Sequence, residues 1–135
     1  MGAWGIGSFE NDDAGDFLAD ATESGDLSLL LEVLDNVLTS TEYVEAPDAT
    51  QAIVAAEIIA AALGRPTLAA QREEELCHWL AHIRPTIDGD LAAQAREALA
   101  RILAPNSELR ELWEETDDFS EWQASVVELM QQLQV

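Results

Sequence analysis

Residues 52–63 read Ala-Ile-Val-Ala-Ala-Glu-Ile-Ile-Ala-Ala-Ala-Leu, and within them Glu57 is the sole polar side chain. A helix that is apolar on all sides is a buried helix, so this stretch is expected to form the centre of the fold. Asp48, following Pro47, is placed to cap it, and Gly64 with Pro66 stops it, which predicts a helix over 49–63. The run is too short to cross a bilayer, which takes about 20 apolar residues. A carboxyl group in such a helix must find a partner or keep its proton. Glu57 is therefore expected in a structural hydrogen bond, to N–H groups of the glycine-rich N-terminal segment or to an indole N–H, with Trp4 the favoured neighbour. A group so perturbed is also a candidate acid or base.

Working outward, helical patterns account for nearly the whole chain, and no alternating run of useful length argues for a strand. Leu27, Leu30, Leu31, Leu34, Val37 and Leu38 follow one helical face, with Asp26 as the expected cap. Leu76, Trp79, Leu80 and Ile83 mark a further helix ending before Pro85. Leu91, Ala95, Ala98, Leu99, Ile102 and Leu103 mark another, ending at Pro105. Asn106 is the expected cap of a short helix through Glu115, and Phe119, Trp122, Val126, Leu129, Met130 and Leu133 line the last one. The prolines at 47, 66, 85 and 105 fall between helical patterns at near-even spacing, and Arg65-Pro66-Thr67 is echoed by Arg84-Pro85-Thr86. Proline punctuation of helices explains most of this, and a helical repeat is the alternative.

Charge limits the partners. The 135 residues carry 27 acids against 6 arginines and no lysine, a formal charge of −21. Residues 1–45 hold 11 acids and no base, so the negative field concentrates at the ends. Nucleic-acid affinity rests on cationic side chains neutralising phosphates, and anionic membranes repel such a chain equally, so neither is an expected partner. Hydrophobic content of 48% is enough for a core, which sets the chain apart from disordered acidic sequences. One cysteine, Cys77, allows no internal disulfide and suits a reducing, cytoplasmic setting; it has no activating motif nearby and is expected to be simply buried. The N-terminus shows neither a basic stretch nor an apolar secretory core.

The first residues are the most distinctive. Residues 2–18 read Gly-Ala-Trp-Gly-Ile-Gly-Ser-Phe-Glu-Asn-Asp-Asp-Ala-Gly-Asp-Phe-Leu. Trp4 and Phe9 are apolar anchors in a tight glycine-rich lead, after which Asn11 or Asp12 caps the first helix and Phe17 and Leu18 face inward. The glycines follow no strand and precede no lysine, so this is not a phosphate loop. The pattern G-x-W-G-x-G-x-F-x-N-D-x-A resembles an uncharacterised bacterial family named domain of unknown function four-two-five-nine. The resemblance extends to Ala55-Ala56-Glu57-Ile58-Ile59-Ala60-Ala61, Gly64-Arg65-Pro66, Ser107-Glu108-Leu109, Leu112-Trp113-Glu114-Glu115 and Trp122. It implies a small bacterial helical domain and supplies no activity.

Several constellations could carry chemistry. Glu10, Asp12, Asp13 and Asp16 crowd one turn with Asn11. Hard cations take roughly six to eight oxygens, but the calcium-loop order is missing, and acids also suit a helix N-terminus for its dipole. His78 and His82 lie four apart with Glu74 on the same face, yet Trp79 stands where a zinc-protease motif needs glutamate, so no metal site is expected. Glu111, Glu114, Glu115, Asp117, Asp118 and Glu121 frame Trp113, Phe119 and Trp122, either as a surface that grips a basic partner or as plain amphipathicity. The expected protein is one all-α domain over residues 1–135, a bundle of about seven helices with a glycine-rich lead and no significant sheet. Its expected role is an acidic binding module for a basic protein, as in an immunity protein or antitoxin, without a cofactor. The alternatives are a cation-binding protein or small enzyme using Glu57 or the residue 10–16 cluster, and a DNA mimic.

Overall fold

A computed structural model describes residues 7–24, 27–40 and 42–134. Among these residues are eight helices: α1 (Asp12–Ser24), α2 (Ser28–Leu38), α3 (Ala46–Ala62), α4 (Leu68–Gln71), α5 (Glu74–Ile83), α6 (Gly89–Leu103), α7 (Glu108–Glu114) and α8 (Phe119–Gln132). No strand occurs among the described residues; an isolated parallel bridge joins Val44 to Ser107. The all-α bundle expected from the sequence is therefore the observed class, with one helix more. That extra helix is the four-residue α4, too short to leave a periodic apolar signal, and it begins where the Thr67 hydroxyl accepts the Ala70 N–H at 3.2 Å.

The all-apolar segment is the axis. Every residue of α3 from Ala52 through Ala60 is buried, Glu57 included. It packs against α1, α2, α6 and α8, and more lightly against α4, α5 and α7. The surrounding helices present one apolar face each: Phe17 and Leu18 from α1, Leu30 and Leu34 from α2, Leu99 and Ile102 from α6, Val126 and Leu129 from α8. Burying each such side chain contributes about 1.5–3 kcal/mol.

The ends of α3 show what the sequence did and did not specify. The C-terminus closes as expected: Gly64 adopts φ +83°, Arg65 N–H donates to Ala60 O at 2.9 Å and Gly64 N–H to Ala61 O at 3.0 Å, a Schellman arrangement. The N-terminus differs. The helix starts at Ala46, and Pro47 lies inside its first turn, where a missing N–H costs nothing. The cap comes from a distant residue, Glu108 of α7, whose carboxylate accepts the Ala46 N–H at 2.7 Å. Asp48 sits within the first turn, past the cap position. The same loop is strapped by Val44 N–H to Asn106 O at 3.0 Å and Glu108 N–H to Val44 O at 2.9 Å. Asn106 is not the α7 cap: it takes φ 65°, and Ser107 occupies the cap position without a side-chain bond. The expected Asp26 cap of α2 lies outside the described residues.

The echoed Arg-Pro-Thr triplets have different local structures. Thr67 caps α4, whereas α6 is capped two residues beyond Thr86 by Asp88, which accepts Leu91 N–H at 2.8 Å. No helix among the described residues is long and apolar enough to cross a membrane.

Candidate functional site

The N-terminal motif resolves into a turn that plugs into the bundle. Glu10 N–H donates to Gly7 O at 3.1 Å, and a side chain at Gly7 would collide with the Glu10 carboxylate. Phe9 is buried in the core, Asn11 Oδ1 accepts Ala14 N–H at 2.8 Å to cap α1, and Ala14 is fully buried beneath it. Of the two caps the sequence allowed, Asn11 is the one used. Trp4 lies outside the described residues.

Ser8, between those anchors, lies near enough to the buried carboxyl of α3 to influence its ionisation. Glu57 is 2% exposed and accepts the Thr67 hydroxyl, which donates to Oε1 at 2.7 Å. One carboxyl thus joins the middle of α3 to the start of α4. Burial is the dominant influence and pushes the carboxyl above its ordinary range; Ser8 and the Thr67 bond pull it down, and the charge of Glu128 on α8 pushes it up again. The hydrogen bond that holds Glu57 comes from the Thr67 hydroxyl, not from the N–H groups of the lead or an indole that the sequence suggested. Thr67 was missed, although a threonine directly before Leu68-Ala69-Ala70 is a recognisable cap.

The acidic clusters are surface features. Glu10, Asp12, Asp13 and Asp16 are exposed or nearly so around the start of α1, and among the described residues no three His, Cys, Asp or Glu side chains converge to hold a metal ion. In the C-terminal cluster the aromatic residues turn inward. Trp113 and Trp122 are 5% and 3% exposed and stack with centroids 6.2 Å apart. Glu114 pairs with Arg110 at 3.1 Å, and that guanidinium also lies over the Phe119 ring at 5.8 Å. The carboxylates, not the indoles, face solvent there.

An exposed tyrosine missed at the level of sequence joins this surface. Tyr43 donates its hydroxyl to Glu111 at 2.7 Å. That bond foremost, followed by desolvation and the charges of Glu111, Glu108 and Glu45, pushes the phenol up to about 12. His78 and His82 are exposed with rings 4.2 Å apart. Two expectations of burial fail nearby: Cys77 is exposed, and Ile83, the last residue of α5, is 43% exposed. A groove of about 250 Å³ runs between the ends of α3 and α5, lined by Ala61, Ala62, Gly64, Leu80, Arg84 and Pro85; its lining does not include Glu57.

The arginines explain why so much acid stays unpaired. Arg84 Nε donates to Ala81 O at 3.3 Å and Arg96 to Leu133 O at 2.6 Å. Arg101 donates to Pro105 O and Asn106 O at 3.1 and 3.2 Å, Arg110 to Leu103 O at 2.5 Å, and Arg65 to Gln134 O. These carbonyls lie at or just beyond helix C-termini, where orphan acceptors and the helix dipole favour a cation. Five of the six arginines are thus engaged with the backbone, and Arg110–Glu114 is the single ion pair among the described residues.

Together these features define a small helical domain with an anionic shell and a buried carboxyl bonded to Thr67 at the start of α4. The family described as Domain of unknown function (DUF4259) matches residues 2–125, and the chain belongs to it. No curated protein and no solved structure matches the chain.

Proposed function

We propose that this protein is an acidic binding module that engages a basic protein partner, in the manner of an immunity protein or antitoxin. The observation that carries the reading is the use of the arginines. Because their donors are engaged with backbone carbonyls, the described carboxylates around α1 and, apart from Glu114, along α7–α8 have no arginine partner and are available to an external cation. A field of one sign speeds capture of an oppositely charged partner and rejects nucleic acid and anionic lipid. A bacterial cytoplasm suits this role, and the lone cysteine is consistent with it.

The test is a tagged pull-down from native lysate at low and moderate salt, read by mass spectrometry. A single basic protein retained in stoichiometric amount is the expected result. Its capture should be lost when Asp12, Asp13 and Asp16 become Asn together with Glu115→Gln, Asp117→Asn and Asp118→Asn. Retention of only scattered, salt-labile proteins overturns the reading and reduces the charge to a solubility device.

A further inference from the structure

We propose that the surface formed by residues 58–72 and 76–87, centred on the groove between the ends of α3 and α5, is where a second copy of this chain docks to form a two-fold dimer. These are the two longest stretches of the chain without an acid. Residues 58–87 as a whole hold three arginines and three glutamates and carry no net formal charge, in a chain of −21. The fold brings the two stretches together. The groove takes its whole lining from them, from Ala61 to Gly64 on one side and from Leu80 to Pro85 on the other. Apolar exposure coincides with the missing acids. Five large apolar side chains are exposed among the described residues, and the most exposed, Leu68 at 65%, lies here with Ile83 at 43%. Neither has an acid within four positions, whereas Leu31, Tyr43 and Val127 each have a glutamate as a direct neighbour. Ile83 directly precedes the lining residue Arg84, and Leu68 opens α4 four residues past Gly64.

Electrostatics selects the occupant. Two bodies of charge −21 repel each other, and the repulsion is weakest where neither presents an excess of acid. A two-fold axis sets a patch against its own copy, so it must be compatible with itself. The neutral surface meets that condition; the anionic remainder of the chain does not. Contact through this surface also keeps the acids of α1 and of α7–α8 away from those of the partner copy. The charged edge of the patch fits the same arrangement. Arg72 at the end of α4 and Glu74 in the first turn of α5 are both exposed and belong to no ion pair, so each is available to its opposite across the seam. An apolar centre with a polar, charged edge is the ordinary anatomy of such a contact. A basic partner, by contrast, is drawn to the carboxylates elsewhere on the chain, so the two surfaces are separate.

Sedimentation velocity of the full chain at about 0.01, 0.1 and 1 M sodium chloride tests this, because the screening length falls from roughly 30 Å to roughly 3 Å over that range. The expected result is a monomer–dimer equilibrium that moves toward dimer as salt rises, the reverse of the salt response of a basic protein held by carboxylates. Leu68→Glu and Ile83→Glu should each weaken association by about tenfold or more. Val127→Glu adds the same charge to the exposed face of α8 and should leave the equilibrium unchanged. All three sites are exposed, so the variants should fold, which thermal melts check; if Leu68→Glu does not, Ile83→Glu decides. A chain that stays monomeric at every salt overturns the proposal. A dimer that dissociates as salt rises also overturns it, as does equal weakening by Val127→Glu, which would place the contact elsewhere or assign the effect to added charge alone. Growth past the dimer with concentration would mean a head-to-tail contact and rejects the two-fold arrangement.

Discussion

α3 and α8 pack against each other and each carries a glutamate in its body, yet the two glutamates live in different solvents. Glu57 on α3 is 2% exposed and held by the Thr67 hydroxyl; Glu128 on α8 is exposed to water. The cause lies in the helices around them. α3 is covered on every side, so any polar atom it carries must be satisfied by protein. α8 covers its neighbours with Trp122, Val126, Leu129 and Leu133 and leaves the opposite face wet. Placement in the bundle, rather than residue type, decides whether a carboxylate here is a structural joint or part of a surface field.

The contrast should be sharpest for apolar truncation. Ile59→Ala in α3, at a fully buried site, should cost about 2–5 kcal/mol. Val127→Ala on the wet face of α8, at a site 41% exposed, should cost within about 0.5 kcal/mol. Urea unfolding of both variants measures this, and equal losses would contradict the wrapped-versus-half-wrapped distinction.

The glutamates come next. Glu57→Ala leaves the Thr67 hydroxyl without its acceptor, a loss of about 1–3 kcal/mol. In a domain of this size that is several degrees of melting temperature. Glu128→Ala should leave the melt within a degree or so, or raise it slightly by relieving the charge near Glu57. An unchanged melt for Glu57→Ala would remove the case for a buried network.

A smaller effect tests how the lead is attached beside that network. Asn11→Ala deletes the bond to Ala14 N–H and should cost about 1 kcal/mol in thermal unfolding, whereas Asn11→Asp should restore most of it.

The smallest effect concerns a surface carboxylate. Tyr43 is the chain's one tyrosine, so ultraviolet titration of the phenol reads it alone. Glu111→Gln should bring its midpoint down from about 12 toward 10.0 with little change in stability. A midpoint that does not move would mean that the Tyr43–Glu111 bond is not maintained in solution.

Much of the bundle is legible residue by residue. The uninterrupted apolar character of residues 52–63 marks α3 as the axis, and the i, i+3, i+4 faces locate α2, α5, α6 and α8. Asn11, Gly64 and Phe9 carry out the tasks their types suggest. The failures share a cause. The start of α3 was misplaced because its cap, Glu108, is 62 residues away, and no local pattern encodes it. Cys77 and Ile83 were expected inside because a short helix does not reveal which part of its apolar arc goes uncovered. α4 is shorter than the period by which helices are recognised. In the candidate site, the burial of Glu57 was readable from its neighbours in sequence, but its partner Thr67 was not: it is an ordinary polar residue until the fold brings it to the carboxyl.

The sequence by itself determined the helical class, the central helix, the anionic character and the capped entry into α1. Each of these rests on local periodicity, composition or a cap only three residues away from its partner. Only the tertiary structure decided which hydroxyl holds the buried carboxyl, which arginines hold helix ends, and therefore which acids are left to the solvent. Those outcomes depend on atoms distant in sequence meeting within hydrogen-bond range, and burial then makes an unmade bond costly enough to hold them there.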